Sequence, residues 1–236
     1  MRVFIGYDPR EHEAALVCLH SLETVTDGQL TAEFLETNAL RQRGLLTRLR
    51  DERSLREYDL VSNHHYSTRF NIARFLVPIL CQTGPALFVD CDMVFVTDPR
   101  YMLHEGPLDA VSVVQHDHQP TRTVKMMEQE QRAYRRKNWT SVMLFNCEHP
   151  ANRRLSLWDV NNRHRDELHG LYWLADDEIG ALAPSWNWLV NEQPKPDMLG
   201  IAHFTNGGPF NVGWPGAEHD DLWLEAAYRA GVRSRG

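Results

Sequence analysis

Short apolar runs alternate along this chain with segments in which apolar residues recur at helical spacing. Continuous apolar runs of four or five residues suit strands that are covered on both faces, as in a parallel sheet. Such runs occupy residues 3–6, 86–89, 110–114, 142–145 and 201–204. Helical spacing predicts one helix soon after residue 11, a second from about residue 67 to 80 and a closing helix over residues 222–230. Strands that alternate with helices predict an α/β domain with a mostly parallel sheet flanked by helices.

Polar residues and prolines predict how the first two helices begin and bend. Asp8, Pro9 and Glu11 follow the first strand in the order of an N-cap, a first helical residue and the closing residue of a capping box. Pro78 falls inside the second predicted helix, where its missing amide donor predicts a bend. The first helix is therefore expected to start directly after the first strand, and the second to be kinked.

The apolar run at residues 86–89 continues directly into two carboxylates. The sequence there is ALFVDCDMVFVTDP, and strand alternation points Asp90 and Asp92 to one side and Cys91 to the other. Carboxylates this close repel each other unless a cation lies between them, and their hard oxygen atoms suit Mg²⁺ or Mn²⁺. Open α/β sheets also bind their ligands at the carboxyl ends of strands. The run predicts a divalent metal site, with a pair of solvated turn carboxylates as the alternative.

A metal site needs a further ligand, and two histidine segments offer one. His203 follows a short apolar run and precedes Gly207 and Gly208, where backbone can approach a phosphate closely. The rival segment, His-Asp-His at residues 116–118, places both imidazoles on one side of an extended chain but lacks a glycine turn. We predict His203 as the third ligand, although a packed or capping role is the default for any one histidine among the 12 present.

Composition narrows the class of protein without changing the predicted fold. The 236 residues contain no Pro-, Gly- or Ser-rich linker, which predicts a single domain over residues 1–236. The formal net charge of -7 argues against partnership with nucleic acid or an anionic membrane. No apolar run approaches the ~18 residues of a membrane span, and the apolar start is too short for a signal peptide. Together with four scattered cysteines, these features predict a cytoplasmic protein with reduced thiols.

Six segments in matching order resemble the retaining glycosyltransferases of family eight, the glycogenin and lipopolysaccharide galactosyltransferase type. The acidic run resembles the LYLDaDvlv..dl segment of that family, and HFTNGGPF resembles its closing HytG..KPW segment. The remaining segments are RVFIGYDPREHEAALVCLHSL, STRFNIARFLVP, SVMLFN and ADDEIGALAPSWN. The resemblance covers most of the chain. It implies the GT-A fold, a Rossmann-like, mixed and mostly parallel sheet, together with a UDP-sugar donor, a carbohydrate-type acceptor and Mn²⁺ or Mg²⁺.

The resemblance also implies roles for individual residues, with retention of anomeric configuration. It assigns Asp90, Asp92 and His203 to the metal, and the residues at the nucleotide are Tyr7, Asp8, Arg74, Asp90, Asp92, Gly207 and Gly208. The predicted substrate contacts are Asp117, Asn138, Trp186 and Asn187, with Trp186 included because aromatic faces suit sugar rings. Asp176 and Asp177 are the predicted catalytic residues, with Asp177 nearest the anomeric carbon. An N-cap role for Asp177 and core packing of Trp186 are the alternatives.

Three departures from the family pattern bear on these roles. The lysine that neutralises the diphosphate has no counterpart, because Pro209 follows Gly208 directly. Asp177 replaces a glutamine, and Trp139 lies where the family has an asparagine, with Asn138 one residue early. Arg74 is predicted to supply the positive charge instead.

The departures leave two other function classes open. One is a module that binds a sugar nucleotide or glycan without turnover. The other is a phosphatase of the haloacid dehalogenase type, whose D-x-D-x-V motif fits residues 90–94 with Asp90 as the nucleophile. The sequence identifies neither the donor hexose nor the acceptor, and it leaves the oligomeric state open.

Overall fold

Strands and short helices alternate through the computed structural model, which describes residues 1–51, 57–106, 108–116, 124–125, 129–130, 136 and 139–234. The strands are β1 (Arg2–Tyr7), β2 (Ala32–Glu36), β3 (Arg50–Asp51), β4 (Tyr58–Asp59), β5 (His64–His65), β6 (Pro85–Val89), β7 (Met93–Phe95), β8 (Val111–Val113), β9 (Val124–Lys125), β10 (Gln129–Glu130), β11 (Val142–Asn146), β12 (Ile179–Ala181), β13 (Trp188–Leu189) and β14 (Ile201–His203). The α-helices are α1 (His12–Val25), α2 (Thr37–Gln42), α3 (Val77–Cys81), α4 (Leu157–Asn162), α5 (Arg165–His169) and α6 (Asp220–Arg229). Short 3-10 turns cover Pro9–Glu11, Ala73–Leu76, Pro99–His104, Trp139–Ser141, Pro150–Arg154, Asp176–Glu178 and Pro184–Asn187. No helix within these described ranges is both long enough and apolar enough to cross a bilayer.

The central sheet has the strand order β12-β8-β11-β6-β1-β2. β1 pairs in parallel with β2 and with β6, and β8 pairs in parallel with β12. β11 lies between β6 and β8 and runs antiparallel to both. One reversed strand in an otherwise parallel sheet confirms the predicted mixed, mostly parallel α/β architecture. The carboxyl ends of β1 and β6 therefore meet at one edge of the sheet, which is where the candidate chemistry lies.

The acidic run is divided between two sheets. β6 ends at Val89, and β7 starts at Met93 as part of a second, three-stranded sheet in the order β13-β14-β7. Asp90 to Asp92 form the turn between the two sheets, so turn geometry sets their directions where the sequence predicted strand alternation. Cys91 still points away from the two carboxylates, toward Glu11, because its thiol lies 3.2 Å from the Glu11 carboxylate.

The start of α1 differs from the predicted capping box. Asp8 does cap the turn at Pro9–Glu11, but it accepts from the amide of Arg10 at 3.0 Å. The Glu11 carboxyl contacts the Cys91 thiol and does not return to the Asp8 amide as a capping box requires. The predicted box is wrong because a tertiary contact takes the side chain that would have closed it.

The second predicted helix is shorter than its apolar spacing indicated. A 3-10 turn at Ala73–Leu76 leads into α3, whose first turn contains Pro78. Proline needs no amide partner in a first turn, so Pro78 starts this helix and the predicted bend is wrong. The buried side chains of Phe70, Ala73 and Leu76 still face the core as predicted.

Gly6 makes room for an aromatic ring beneath β1. A Cβ atom at this position would lie 2.2 Å from the ring of Phe70, which is 1% exposed and packs against Phe88. We expect Gly6→Ala to lower the free energy of unfolding by about 2 kcal/mol, because the ring has no space to withdraw into. Urea denaturation of the variant checks this. Combining it with Phe70→Leu should recover part of the loss, and a double variant as unstable as the sum of the single changes would contradict this explanation.

Candidate active site

Asp90, Asp92 and His203 converge at the carboxyl edge of the central sheet. One potential ligand atom from each residue lies within 4.8 Å of the other two, and the Asp92 carboxylate is 3.4 Å from Nε2 of His203. The small sheet holds this arrangement, because β14 pairs with β7 and brings His203 opposite Met93. The amide of Phe204 also donates to the main-chain carbonyl of Asp92 at 2.9 Å. Two distant segments of the chain therefore form one preformed cluster.

A buried amide fixes the orientation of the His203 ring. The Asn187 carbonyl oxygen lies 2.8 Å from Nδ1 of His203, and Asn187 and His203 are 0% and 2% exposed. An amide oxygen only accepts, so Nδ1 carries a proton, and Nε2 is the ring nitrogen that faces the carboxylates. This is the second-layer hydrogen bond that metal-binding histidines use in proteins. The structure places Asn187 behind His203, and its predicted contact with a substrate stays a prediction.

The electrostatics of the cluster suit a divalent cation. Burial raises the pKa of Asp90 to about 6; Arg74 acts against this shift and the Asp92 charge adds to it. Nη1 of Arg74 is 3.0 Å from Asp90, and one arginine does not balance two carboxylates. Two hard carboxylate oxygens and one imidazole nitrogen form a donor set that fits Mn²⁺ or Mg²⁺.

Arg74 is held rigidly beside the cluster. Its Nε donates to the carbonyl of Asn71 at 3.0 Å and its Nη1 to the carbonyl of Thr140 at 2.7 Å. The guanidinium also lies over the rings of Phe70 and Phe88, 5.4 and 5.0 Å from their centroids. The structure therefore brings this predicted nucleotide-binding residue to the metal cluster, with its charge directed at Asp90.

Glu11 is a half-buried carboxyl group that the sequence analysis assigned only to a helix cap. Burial and the nearby Asp92 carboxylate raise its pKa to about 8, and the Cys91 thiol donates to it. A neutral Glu11 adds no further negative charge behind the cluster at pH 7. No sequence signal separates this environment from a capping position, because the contact joins residues 80 positions apart.

The raised pKa of Glu11 predicts a pH-dependent stability. Between its unfolded pKa near 4.5 and its native pKa of about 8, the native state keeps a proton that the unfolded chain has lost, so raising the pH destabilises the fold. In metal-free buffer, we expect wild type to lose about 2 kcal/mol from pH 5 to 8 relative to Glu11→Gln. Urea titrations across this range measure the difference. The exposed-site variant Glu148→Gln is the control, and a Glu11→Gln curve parallel to wild type would contradict the assignment.

Tyr7 and Asp8 lie at the carboxyl end of β1, as the nucleotide prediction requires, but Asp8 is 0% exposed. Its carboxylate accepts from the Arg10 guanidinium and from the amide of Arg69 at 3.0 Å. Although burial opposes it, hydrogen bonding from Arg10 holds the pKa of Asp8 below its usual range. The hydroxyl of Tyr7 contacts Nδ1 of His12 at 3.0 Å. Asp8 thus ties the strand end to the loop at Arg69, and a nucleotide contact of Tyr7 or Asp8 stays a prediction.

The glycine turn after His203 is built by internal hydrogen bonds. The Gly207 amide donates to the carbonyl of Phe204 and the Gly208 amide to the side chain of Asn211, each at 2.9 Å. Gly207 has φ +101, which favours glycine, and a Cβ on Gly208 would lie 2.9 Å from the ring of Phe210. Both glycines are thus explained by turn geometry and packing, and their contact with a phosphate stays a prediction.

Asp176 and Asp177 are not brought to the cluster. They lie in the exposed turn that leads into the amino end of β12, and parallel pairing with β8 puts that end at the opposite edge of the sheet from Asp90. Asp176 pairs with Arg136. Trp186 is 4% exposed and its indole donates to Glu105, so it packs in the core. The predicted contacts Asp117 and Asn138, and the rival segment 116–118 apart from His116, lie outside the described residues.

Comparison with known proteins identifies the family. No family model matches the chain. Protein CDI of Arabidopsis thaliana is 37% identical over 232 residues, which span 94% of this chain and 84% of that protein. The chain belongs to the Protein CDI family.

Solved structures resemble this member of the Protein CDI family in fold. The galactosyltransferase LgtC, solved with donor and acceptor sugar analogs, matches with a TM-score of 0.59 at 12% identity, covering 97% of this chain and 96% of that chain. Mouse xyloside xylosyltransferase 1 matches with a TM-score of 0.51 at 12% identity, covering 86% of this chain and 97% of that chain. The fold is therefore the GT-A fold of glycosyltransferases, as the sequence resemblance implied.

Proposed function

We propose that this protein is a metal-dependent glycosyltransferase that moves a hexose from a UDP-sugar to a carbohydrate-type acceptor with retention of configuration. The observation that carries the proposal is the preformed cluster of Asp90, Asp92 and His203 at the carboxyl edge of a GT-A sheet. The names of the structural neighbours and the resemblance to family eight support sugar transfer as the reaction class. A single domain over residues 1–236 and a cytoplasmic location belong to the same proposal.

In this proposal, the residues in and around the cluster have different roles in binding a diphosphate. Asp90, Asp92 and His203 would hold Mn²⁺ or Mg²⁺, and Asn187 keeps Nε2 of His203 turned toward the site. A divalent cation held there would supply positive charge against the diphosphate leaving group of the transfer. Arg74 adds a fixed positive charge beside Asp90, in place of the lysine that the chain lacks after Gly208.

Proton transfer in this proposal needs no dedicated base among the described cluster residues. The resemblance to retaining enzymes implies that the leaving phosphate oxygen accepts the proton of the acceptor hydroxyl. Asp176 and Asp177 stay in the proposal as residues to test, although they lie in the turn at the other edge of the sheet. We expect Asp177→Asn to leave UDP binding unchanged. A loss of transfer in that variant with intact UDP binding would support its predicted catalytic role.

Calorimetric titration of UDP, with and without Mn²⁺, tests the donor site directly. Wild type is expected to bind UDP only with Mn²⁺, and Asp92→Ala is expected to bind it under neither condition. If wild type binds no UDP with Mn²⁺ present, the UDP-sugar part of the proposal fails. Screening UDP-hexoses for release of free sugar then identifies the donor, and proton NMR of the first product reports whether configuration is retained.

Two assays separate this proposal from the alternatives. Slow release of free sugar from a UDP-hexose would exclude a binding module without turnover. Hydrolysis of p-nitrophenyl phosphate that is lost in Asp90→Asn would instead support the phosphatase hypothesis, in which Asp90 is a nucleophile. We expect the first result and no phosphatase activity.

A further inference from the structure

His169 is a buried histidine that takes no part in the proposed metal site. It ends α5 and is 9% exposed, with its ring edge-on to Phe75 at 5.1 Å between centroids. Its Nε2 lies 2.5 Å from the side-chain oxygen of Asn71, and its Nδ1 lies 2.8 Å from the hydroxyl of Thr140. Because the Asn71 oxygen only accepts, the ring donates from Nε2 and accepts from Thr140 at Nδ1.

The two residues that His169 joins are the same two that hold Arg74. The main-chain carbonyl of Asn71 accepts from Nε of Arg74, and that of Thr140 accepts from Nη1. Asn71 precedes the 3-10 turn at Ala73–Leu76, while Thr140 precedes β11, so nothing in the local chain connects them. His169 bridges them through side chains, and Arg74 bridges them through main-chain carbonyls.

We propose that His169 is a positioning residue that fixes the Arg74 guanidinium against Asp90 by clamping together Asn71 and Thr140. The inference rests on the proposed function for its consequence, since Arg74 there supplies the positive charge beside the diphosphate. The clamp itself depends only on four hydrogen bonds of this chain. His169 touches neither Arg74 nor the cluster in these hydrogen bonds, so it acts through its two partners.

The charge state of the ring suits a positioning role. Burial lowers the pKa of His169 well below its usual value, and the nearby Arg74, Arg165 and Arg48 charges lower it further. The ring therefore stays neutral and does not repel the guanidinium that it helps to place.

Two variants of His169 separate its hydrogen bonds from its packing. Glutamine can donate to Asn71 and accept from Thr140, whereas phenylalanine keeps a ring against Phe75 but forms neither hydrogen bond. Thr140→Val removes only the hydrogen bond from Thr140 to Nδ1 of His169, and it changes the shape of the side chain less than His169→Phe does. Phe75→Leu is the matched control, because it loosens the packing around His169 and leaves every hydrogen bond of the clamp in place.

The first readout is the Nε–H signal of Arg74 in a ¹⁵N–¹H spectrum, assigned by its absence in Arg74→Lys. We expect this proton to exchange with water at least ~10-fold faster in His169→Phe than in wild type, since the opened clamp exposes it. His169→Gln and Phe75→Leu should stay close to wild type, with Thr140→Val in between. If His169→Phe folds and the exchange rate of its Arg74 Nε–H proton is unchanged, the inference is overturned. If only Thr140→Val folds, an unchanged exchange rate in that variant overturns it.

The second readout is UDP affinity in the presence of Mn²⁺. We expect His169→Phe to weaken UDP affinity about 10-fold and His169→Gln to keep it close to wild type. In an Arg74→Ala background, His169→Phe should cause no further loss of affinity, because His169 acts only through the Arg74 guanidinium. Additive losses in the double variant would overturn the inference. If wild type binds no UDP while the Arg74 signal still depends on His169, the proposed function fails and the clamp stands.

Discussion

Asp92→Asn is expected to reduce sugar transfer about 10³-fold, the scale seen when a group that stabilises transition-state charge is removed. Asp92 contributes one of the three donor atoms of the cluster, and its charge raises the pKa values of both Asp90 and Glu11. Neutralising it removes a ligand and also relieves repulsion, so stability in metal-free buffer should stay level or rise. Kinetics with an identified UDP-hexose and thermal unfolding in EDTA measure the two effects separately.

A matched variant makes this prediction specific to the cluster. Asp197 is exposed and is not one of the three residues of the cluster, so Asp197→Asn should keep full activity and full stability. Full activity in Asp92→Asn would contradict the metal site. A loss of activity that is explained by unfolding of the variant would also contradict it. Excess Mn²⁺ should restore little transfer, because an amide oxygen is a weaker ligand than a carboxylate.

Asp59→Asn is expected to destabilise the fold by about 3–5 kcal/mol, the cost of leaving a buried charge without its partner. The guanidinium of Arg48 is 0% exposed and makes two hydrogen bonds to Asp59, of 3.0 and 2.8 Å. It also donates to the carbonyls of Val160 and Arg163, so this ion pair ties the β4 region to α4. Urea denaturation measures the loss.

Two comparisons separate the pair energy from the cost of burial. Replacing both partners, as Arg48→Met with Asp59→Leu, should lose much less stability than Asp59→Asn, since no charge is then buried alone. At the surface, Glu225 pairs with Arg229 within α6, and Glu225→Gln should cost less than about 0.5 kcal/mol. Equal losses at the buried and the surface pair would contradict this explanation.

The prediction of the site was most accurate for polar residues that directly follow or end a buried strand. Asp90 and Asp92 follow a run that is buried on both faces, and His203 ends a short apolar strand, so their convergence needed only the geometry of sheets. The sequence predictions were less accurate where a side chain could hydrogen-bond either within its own segment or to a distant one. Glu11 suited a capping box in sequence, but the Cys91 thiol binds it in the fold. Asn187 suited a substrate contact, which stays a prediction, and in the fold its side chain hydrogen-bonds to His203.

The catalytic assignment of Asp177 stays a prediction, and the resemblance that led to it did not show where its segment lies in the sheet. The ADDEIGALAPSWN segment resembles a family motif, yet β12 starts immediately after Asp176–Glu178 and pairs in parallel with β8. The strand direction then carries these carboxylates to the edge away from Asp90. Residue types in a motif do not encode the edge of the sheet at which they end, because that depends on long-range strand pairing.

The sequence alone determined the α/β class, four of the six strands of the central sheet (β1, β6, β8 and β11, but not β2 or β12) and the three residues of the candidate metal cluster. Apolar runs and strand ends are local features, and the free energy of burying them is largely independent of which strands become neighbours. Only the tertiary structure decided the second sheet that brings His203 to Asp92, the raised pKa of Glu11, the buried Asp8 and the hydrogen bonds that hold Arg74. Each of these is a contact between segments far apart in sequence, and its energy comes from burial and charge that exist only in the folded chain.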